Sequence, residues 1–428
     1  MTKRMFLLSL TLIACTAVFG QISIEECYEK ARDNYPLIKR YDLIERAREY
    51  NLSSVSKAWL PQVGLSAKAT YQSEVTEIPL DFSKLGLPFS IPSLDKDQYG
   101  ATLEINQTIW DGGVSGAKRK SIRAKTEAEK QEVEVSLYAV RERVNQLFFG
   151  ILLCDAMLEQ NRLFQSELQT NYEKVAHLVQ GGLANQTDLD AVRVEQLKAK
   201  QGETQITHSR KACLDMLSVF IGEKLDESVT LQKPVTSSNS TLLWSGTGRG
   251  VRPELSLFDA NLASLDAAKS ELDASLTPKV GLFLTGGYGK PGLNMLKTEF
   301  SAYYIGGIRL SWNIGSFYTR KNSLKLLKTN RNNIEVQRET FLFNTALSKT
   351  GKENEIDKYR DLLKSDDEIV SLRHSVRRAA EAKVENGTMT VADLMHEANA
   401  EQLARQDKIV HEIELLQAIY NLKFITNN

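Results

Sequence analysis

The chain has 428 residues with 54 basic and 54 acidic side chains, so its formal net charge is zero. At 42% hydrophobic and 25% charged residues it can form an apolar core, which excludes a wholly disordered protein. The balanced charge gives no electrostatic basis for binding nucleic acid, and after the N-terminus no segment reaches the roughly 20 apolar residues of a membrane-spanning helix.

The first twenty residues, 1–20, have the pattern of a secretory signal peptide. Lys3 and Arg4 form a short basic region, an apolar region follows, and small residues stand before Gln21. We therefore expect cleavage before Gln21 and export of the mature chain. The alternative is a lipoprotein signal in residues 12–15, in which Cys15 is acylated.

The mature chain repeats one plan twice. In the first repeat, residues 21–232, a helical stretch from Ile24 to Trp59 precedes two alternating segments, a long helical pattern, a glycine turn and a returning helix. Residues 251–428 form the second repeat and have the same order, beginning with a helical stretch from Pro253 to Leu276. Residues 233–250 are rich in Ser, Thr and Gly and are predicted to be a linker.

The long helical patterns have a seven-residue period. In the first repeat the pattern extends from Val114 to Gly181, and polar residues such as Asn161 and Gln165 share its seam with apolar ones. This period predicts helices packed side by side at a shallow angle, and the polar seam positions favour a wall of helices with one wet face. The second repeat has a weaker predicted seam, formed by Ile369, Leu372, Val376 and Ala379.

Four short segments alternate apolar and polar residues, as strands with one apolar face do. They are residues 63–72, 99–110, 280–288 and 304–314, each of roughly the length that crosses an outer membrane as a tilted strand. Aromatic residues lie near their ends, where a membrane girdle is expected: Tyr71, Tyr99, Tyr288, Tyr304 and Trp312.

An ordinary half-buried sheet in a soluble protein alternates in the same way. Export, together with two isolated strand pairs flanked by very long helices, favours the membrane interpretation. Four strands cannot close a barrel that holds water, and open edges are not tolerated in lipid. Several copies of the chain are therefore expected to contribute strands to one barrel.

The sequence predicts no enzyme, metal site or cofactor. Neither His396-Glu397 nor His411-Glu412 completes the HExxH spacing of a metalloprotease. The three cysteines of the mature chain suit neither a disulfide framework nor a zinc site and are predicted to be small buried apolar residues: Cys27, Cys154 and Cys213.

Taken together, these features resemble the TolC family of outer-membrane efflux and secretion channels. The resemblance covers the whole mature chain and is carried by the duplicated order, the opening residues 25–36, the joint Trp59-Leu60-Pro61-Gln62-Val63, the residues Trp110-Asp111-Gly112-Gly113 and the two glycine turns. It implies a mainly helical fold with β structure, in which long coiled-coil-like helices form an α-barrel. Four strands per chain then join a trimeric, twelve-stranded transmembrane β-barrel.

The resemblance also implies a function and partners. The family's members are homotrimers in outer-membrane lipid that extend into the periplasm as passive ducts of efflux or type I secretion systems. They work with a periplasmic adaptor protein and an inner-membrane transporter. The alternative is a secreted periplasmic coiled-coil structural or adaptor protein, but an adaptor needs only one helical hairpin framed by small β-domains.

In the family, the periplasmic end closes near the two glycine turns. By this resemblance Asp393 matches the first of two paired acidic positions, and His396 replaces the second. Asp188 matches an acidic position in the first turn, while Met389 stands where some members have an arginine able to link to it. These four residues are the candidates for the pore constriction, and the departures put a salt-bridged closure in doubt.

The same turns offer candidates for adaptor contact: Gly182, Leu183, Gly387 and Thr388. A second interpretation of the two aspartates is that they stabilise helix starts after caps at Thr187 and Thr390, because an acidic side chain complements the positive end of a helix. Both roles are compatible. For His396 the favoured expectation is a solvated surface position.

Overall fold

The structure is a computed structural model, and it describes residues 21–76, 93–234 and 251–427. The predicted signal peptide with Cys15, most of the predicted linker and much of the connection after the first strand lie outside the described residues. The helices and strands are α1 Ile24–Asn34, α2 Arg40–Lys57, β1 Gln62–Tyr71, β2 Asp97–Trp110, α3 Val114–Tyr138, α4 Val140–Gln180, α5 Gln186–Ile221, α6 Pro253–Ser275, β3 Lys279–Lys290, β4 Ser301–Ser311, α7 Ser316–Glu385 and α8 Val391–Thr426. This order confirms the predicted mainly helical fold with two strand pairs.

The first predicted helix is broken. The stretch from Ile24 to Trp59 forms α1 and α2, separated by a 3₁₀ turn at Pro36–Lys39. Tyr35 takes an extended backbone because proline disfavours helix at the residue before it. The long helix after β2 is interrupted only at Ala139, whose backbone stays in the helical region.

The chain forms two compact units, and each contains parts of both sequence repeats. The first consists of Met1–Ile38, Ser136–Arg252 and Leu342–Asn428. Its largest core surrounds Phe148 and Phe149 of α4, which are buried against Cys27 of α1, Leu217 of α5 and Leu416 of α8. The buried positions Val140, Val144 and Ile151 confirm the predicted heptad register of α4.

The predicted seam of α7 is not buried within this chain. Ile369, Leu372 and Val376 are 45%, 59% and 46% exposed, and Ala379 is exposed as well. The buried stripe of α7 has the same seven-residue spacing on another face and consists of Ile356, Tyr359, Asp366, Arg377, Ala380 and Val384. Two of these residues are charged, so a search for apolar repeats selects the face that this chain leaves exposed.

The second unit consists of Lys39–Val135 and Pro253–Phe341. It contains one four-stranded antiparallel sheet in the order β1-β2-β3-β4. The two strand pairs, which are far apart in the sequence, form this one sheet because β2 pairs directly with β3, with Ile105 opposite Leu284. Strands β1 and β4 are the edges of the sheet within this chain.

The contact between β2 and β3 begins at a close approach of two loops. Thr277, just before β3, donates from Oγ1 to the carbonyl oxygen of Gly112, just after β2, at 2.9 Å. Gly112 has φ +68°, and a Cβ there would stand 1.8 Å from Thr277 Oγ1. Only glycine fits this position without a shift of the backbone.

The fourth strand ends at Ser311, which is earlier than predicted. Trp312 lies beyond the strand and donates from Nε1 to the carbonyl oxygen of Leu276, at 2.9 Å. Trp312 therefore joins the end of β4 to the loop before β3, and the predicted strand residue Ile314 lies outside the sheet.

The two faces of the sheet differ in polarity. The mainly polar face includes the large side chains Phe283, Tyr303 and Ile305. The other face is apolar between the strand ends except at Gln107, and its apolar members share registered positions across all four strands: Val63, Leu65, Ala67, Ala69, Tyr99, Ala101, Leu103, Ile105, Val280, Leu282, Leu284, Tyr288, Ala302, Tyr304, Ile308 and Leu310. Its large side chains are exposed, as at Leu65 and Leu310. The opposite face contains the Ser66–Thr102 hydroxyl contact, at 2.7 Å, and the charged residues Glu104 and Arg309. The predicted alternation is confirmed, and nothing in the described residues covers the apolar face.

Three ion pairs join α6 to α7 in this unit. Asp259, Asp266 and Asp273 are spaced by seven residues along α6, and they pair with arginines of α7 at 2.7–3.0 Å: Arg338, Arg331 and Arg320. All six side chains are exposed, and exposed pairs contribute only about 0–1 kcal/mol each. The three ion pairs therefore contribute little to stability, and their main effect is on the register of α6 against α7.

Candidate functional site

The two predicted glycine turns have the same geometry. Gly182 and Gly387 have φ of +72° and +70°, the left-handed conformation that ends many helices. In the α4–α5 turn the N–H of Leu183 donates to the carbonyl oxygen of Leu178 at 2.8 Å, and in the α7–α8 turn the N–H of Thr388 donates to Lys383 at 2.9 Å. All four predicted turn residues are exposed at these tips.

Both candidate aspartates stabilise a helix start. Asp393 Oδ2 accepts from Thr390 Oγ1 at 2.6 Å, and its N–H donates to that hydroxyl at 3.1 Å, so the predicted cap at Thr390 is confirmed. Asp188 Oδ2 accepts from the N–H of Asn185 at 3.0 Å. The predicted cap at Thr187 is wrong, because α5 begins at Gln186 and Asn185 has the extended backbone of a cap.

The other two constriction candidates differ in their surroundings. Met389 is half-buried and packs against a core at this end of the hairpins, which includes Val384, Val391 and Leu394. An apolar side chain there extends the core around the turn. His396 is exposed, as expected from the sequence.

A group of charged residues that apolar periodicity does not reveal is buried along the hairpins. Arg377 of α7 is 8% exposed and Glu401 of α8 is 2% exposed. Arg377 Nε donates to Glu401 Oε2 at 2.5 Å. Two buried charges need several hydrogen-bonding partners to offset their lost hydration, and the residues around this pair supply them.

Those partners come from three helices. On one side Glu401 Oε1 accepts from Arg405 Nε at 2.9 Å and lies 3.1 Å from His374 Nδ1. On the other side Arg377 Nη1 donates to Glu381 at 2.5 Å, and its Nη2 lies 3.8 Å from Glu167 of α4. We call these six residues the ionic cluster: Glu167, His374, Arg377, Glu381, Glu401 and Arg405.

The electrostatics of the ionic cluster favour its charged form. Burial raises the pKa of Glu401, but the hydrogen bonds from Arg405 and Arg377 outweigh burial and leave that pKa below its usual value. Burial likewise opposes the charge of Arg377, while Glu401, Glu167 and Glu381 raise the pKa of its guanidinium. The cluster therefore ties α7 to α8 and to α4 as a set of ion pairs.

A second polar tie lies further along the same two helices. His411 Nδ1 of α8 lies 2.8 Å from Asp366 Oδ2 of α7, and Lys408 Nζ donates to Asp367 at 2.5 Å. Asp366 is buried. Polar contacts therefore recur along α7–α8.

The described residues offer little for a cofactor. Among them, no group of three His, Cys, Asp or Glu side chains is arranged to hold a metal ion. Cys27, Cys154 and Cys213 are free, Cys27 is fully buried, and burial raises the pKa of Cys154 to about 11, which disfavours the reactive thiolate. In the same part of the chain, no helix combines the length and hydrophobicity needed to cross a membrane.

We expect acid to weaken the ionic cluster. Because the folded pKa of Glu401 lies below its unfolded value, the unfolded chain binds more protons between the two pKa values. The contribution of Glu401 to stability is complete above the usual pKa of glutamate, about 4.3, and is lost as pH falls through the folded pKa. The unfolding temperature, followed by helical circular dichroism, should therefore fall more steeply below about pH 4.3 in the unmodified protein than in Glu401→Gln. Equal slopes would contradict this assignment.

Comparison with known proteins adds the following findings. Residues 27–223 match the family described as outer membrane efflux protein. The whole chain is similar in fold to the outer-membrane channel OprN, at 14% identity and a TM-score of 0.67, with 94% of this chain and 89% of that chain covered. The outer membrane protein VceC from Vibrio cholerae has 13% identity and a TM-score of 0.67, with coverage of 95% and 96%.

The CmeC outer membrane channel of Campylobacter jejuni has 13% identity and a TM-score of 0.63, with 94% of this chain and 85% of that chain covered. No curated protein is a significant sequence match. At such low identities the structural likeness shows the fold.

Proposed function

We propose that this chain, whose first repeat matches the outer membrane efflux protein family and whose fold is that of the TolC-like channels, is one subunit of an outer-membrane channel. The channel is a passive duct of a tripartite efflux or type I secretion system, and it extends from the outer membrane into the periplasm. The observation that carries this proposal is the sheet, whose uncovered face is apolar and whose opposite face is polar.

The exposed apolar face fits lipid better than water. In a soluble protein a sheet buries its apolar face under another layer, yet here Leu65, Tyr304 and Leu310 are among the most exposed large side chains. Between the strand ends that face carries no charged side chain. The polar face then borders an aqueous passage.

Two surfaces support assembly of several copies. Among the described residues, the outer edges of β1 and β4 have no strand partner in the single chain, and an open sheet edge is not tolerated in lipid. The exposed stripe of Ile369, Leu372 and Val376 on α7 has the heptad spacing of a helix–helix seam. Together with the resemblance to the family, these surfaces support a homotrimer with a twelve-stranded barrel.

The turns at the ends of the hairpins support the proposed partners. Leu183, Gly182, Gly387 and Thr388 form two matching exposed tips, which suits contact with a periplasmic adaptor protein. An inner-membrane transporter would supply the energy, as the resemblance to the family implies.

The proposed constriction lies close to these tips. Asp393 is exposed at the start of α8, and three copies of its carboxylate at close range would favour cations. His396 follows it by less than one turn and adds a group that can be protonated. Asp188 stands at the matching position of α5, while Met389 replaces a charged link with an apolar contact.

Purified protein reconstituted in planar bilayers tests both proposals. We expect discrete conductance with a preference for cations, and we expect Asp393→Asn to reduce that preference by on the order of twofold or more because it removes three charges per channel. Asp190→Asn, an exposed carboxylate of the other hairpin, is the matched control. Recovery of the protein from the soluble periplasm without detergent would contradict the channel and favour a secreted coiled-coil protein. Conductance whose selectivity is unchanged in Asp393→Asn would exclude the constriction role alone.

A further inference from the structure

The polar face of the sheet has an unequal balance of charge. The registers place four charged side chains on it, which are Lys68 of β1, Glu104 of β2, Lys279 of β3 and Arg309 of β4. Three are basic and one is acidic, so each chain contributes a net charge of +2 to this face at pH 7.

One of the basic residues is already neutralised. Arg309 Nη1 lies 3.6 Å from Glu104 Oε1, and its guanidinium carbon stands 4.6 Å from the centre of the Phe283 ring. The guanidinium of β4 therefore lies near a carboxylate of β2 and over an aromatic ring of β3. The Arg309–Glu104 pair therefore adds no net charge to the face.

The two lysines are placed differently. Lys68 is exposed on β1, opposite Gly100 of β2. Its side chain lies over this glycine, with Cε 4.0 Å from the position that a Cβ on Gly100 would occupy. Lys279 is exposed at the start of β3, beside a recess of about 150 Å³ that Arg309, Ser311 and Asn106 also line. Within the described residues neither lysine makes an ion pair.

We propose that Lys68 and Lys279 make the membrane section of the passage attractive to anionic solutes. This inference rests on the proposed channel function, and it assigns a class of solute to the sheet: small molecules or chain segments with carboxylate or phosphate groups. With three copies the two lysines form two rings of positive charge, one toward each end of the sheet. The sheet then has the opposite preference to the constriction proposed at Asp393.

The inference is tested by the reversal potential of reconstituted channels under a gradient of dilute KCl. At about 10 mM salt the screening length is about 30 Å, so charges on the wall act across a wide passage. All channels carry Asp393→Asn, so that the other proposed filter does not set the result. We expect Lys68→Gln to lower the chloride-to-potassium permeability ratio by on the order of twofold, and Lys68→Glu to lower it further.

A charge-balanced variant is the matched control. Glu104→Gln combined with Arg309→Gln removes one charge of each sign from the same face, so the permeability ratio should stay unchanged. Lys279→Gln provides a second variant, at the other end of the sheet, with an expected decrease like that of Lys68→Gln.

The outcomes separate the two proposals. Channels that conduct but keep their permeability ratio in both lysine variants would overturn the inference and leave the proposed function standing. An absence of any conductance in the unmodified protein would overturn the proposed function, and the inference with it.

Discussion

Replacing Glu401 with alanine is expected to lower the free energy of unfolding by about 3–5 kcal/mol, because it leaves the buried guanidinium of Arg377 without its main partner. Glu401 is 2% exposed and receives hydrogen bonds from Arg377 and Arg405. Removing one member of a buried pair leaves the other charge desolvated and uncompensated. Denaturant unfolding of the full-length protein in detergent, followed by helical circular dichroism, measures the loss.

Two further variants separate this cause from general damage to α8. The double substitution Arg377→Met and Glu401→Leu replaces the pair by apolar side chains, and its cost should be well below that of Glu401→Ala. Asp361→Ala removes one member of the exposed Lys364–Asp361 pair on α7 and should cost less than about 1 kcal/mol. If Glu401→Ala cost no more than Asp361→Ala, the ionic cluster would not hold the hairpin together.

Replacing Leu284 with arginine is expected to prevent recovery of the protein in the outer-membrane fraction. Leu284 lies near the middle of β3 on the apolar face, opposite Ile105. An arginine on the lipid side at that depth costs about 2–4 kcal/mol per chain, and every copy in the assembly carries it. Membrane fractionation and the heat-modifiable oligomer on gels measure the effect.

The adjacent residue on the same strand provides the matched control. Thr285→Arg places the same side chain on the polar face, where Thr285 stands opposite Glu104. That variant should still reach the membrane and assemble, since the new charge meets water and a carboxylate. Equal loss in both variants would show that the strand tolerates arginine on neither side, which would contradict the assignment of a lipid face to Leu284.

The sequence predicts most of the local structure because its signals are local. The alternation of residues such as Val63, Leu65 and Ala67 marks β1 with no reference to its partner, and Thr390 marks the start of α8 through the hydroxyl it offers to Asp393. The pairing of β2 with β3 is different. It joins residues far apart in the chain through the Gly112–Thr277 contact, and no pattern within either strand encodes it.

The ionic cluster was missed for another physical reason. Heptad analysis looks for apolar side chains, whereas Arg377 and Asp366 occupy seam positions of α7 as buried charges. One signal was available: His374, Arg377 and Glu381 lie on one face of a helix, and Glu401 and Arg405 lie on one face of the next. Opposite charges at facing heptad positions of a hairpin indicate such a tie.

The uncovered apolar face of the sheet has a consequence for biogenesis. In the proposed function, a single newly exported copy would carry this face in water before it meets a bilayer, and exposed hydrophobic surface of that extent promotes aggregation. The helices can associate in an aqueous compartment, but the strands have no stable arrangement there. Such a copy would therefore need a chaperone to bind it until its strands reach the membrane. The time that it survives before insertion, rather than the stability of the assembled channel, would then limit how much channel a cell can make.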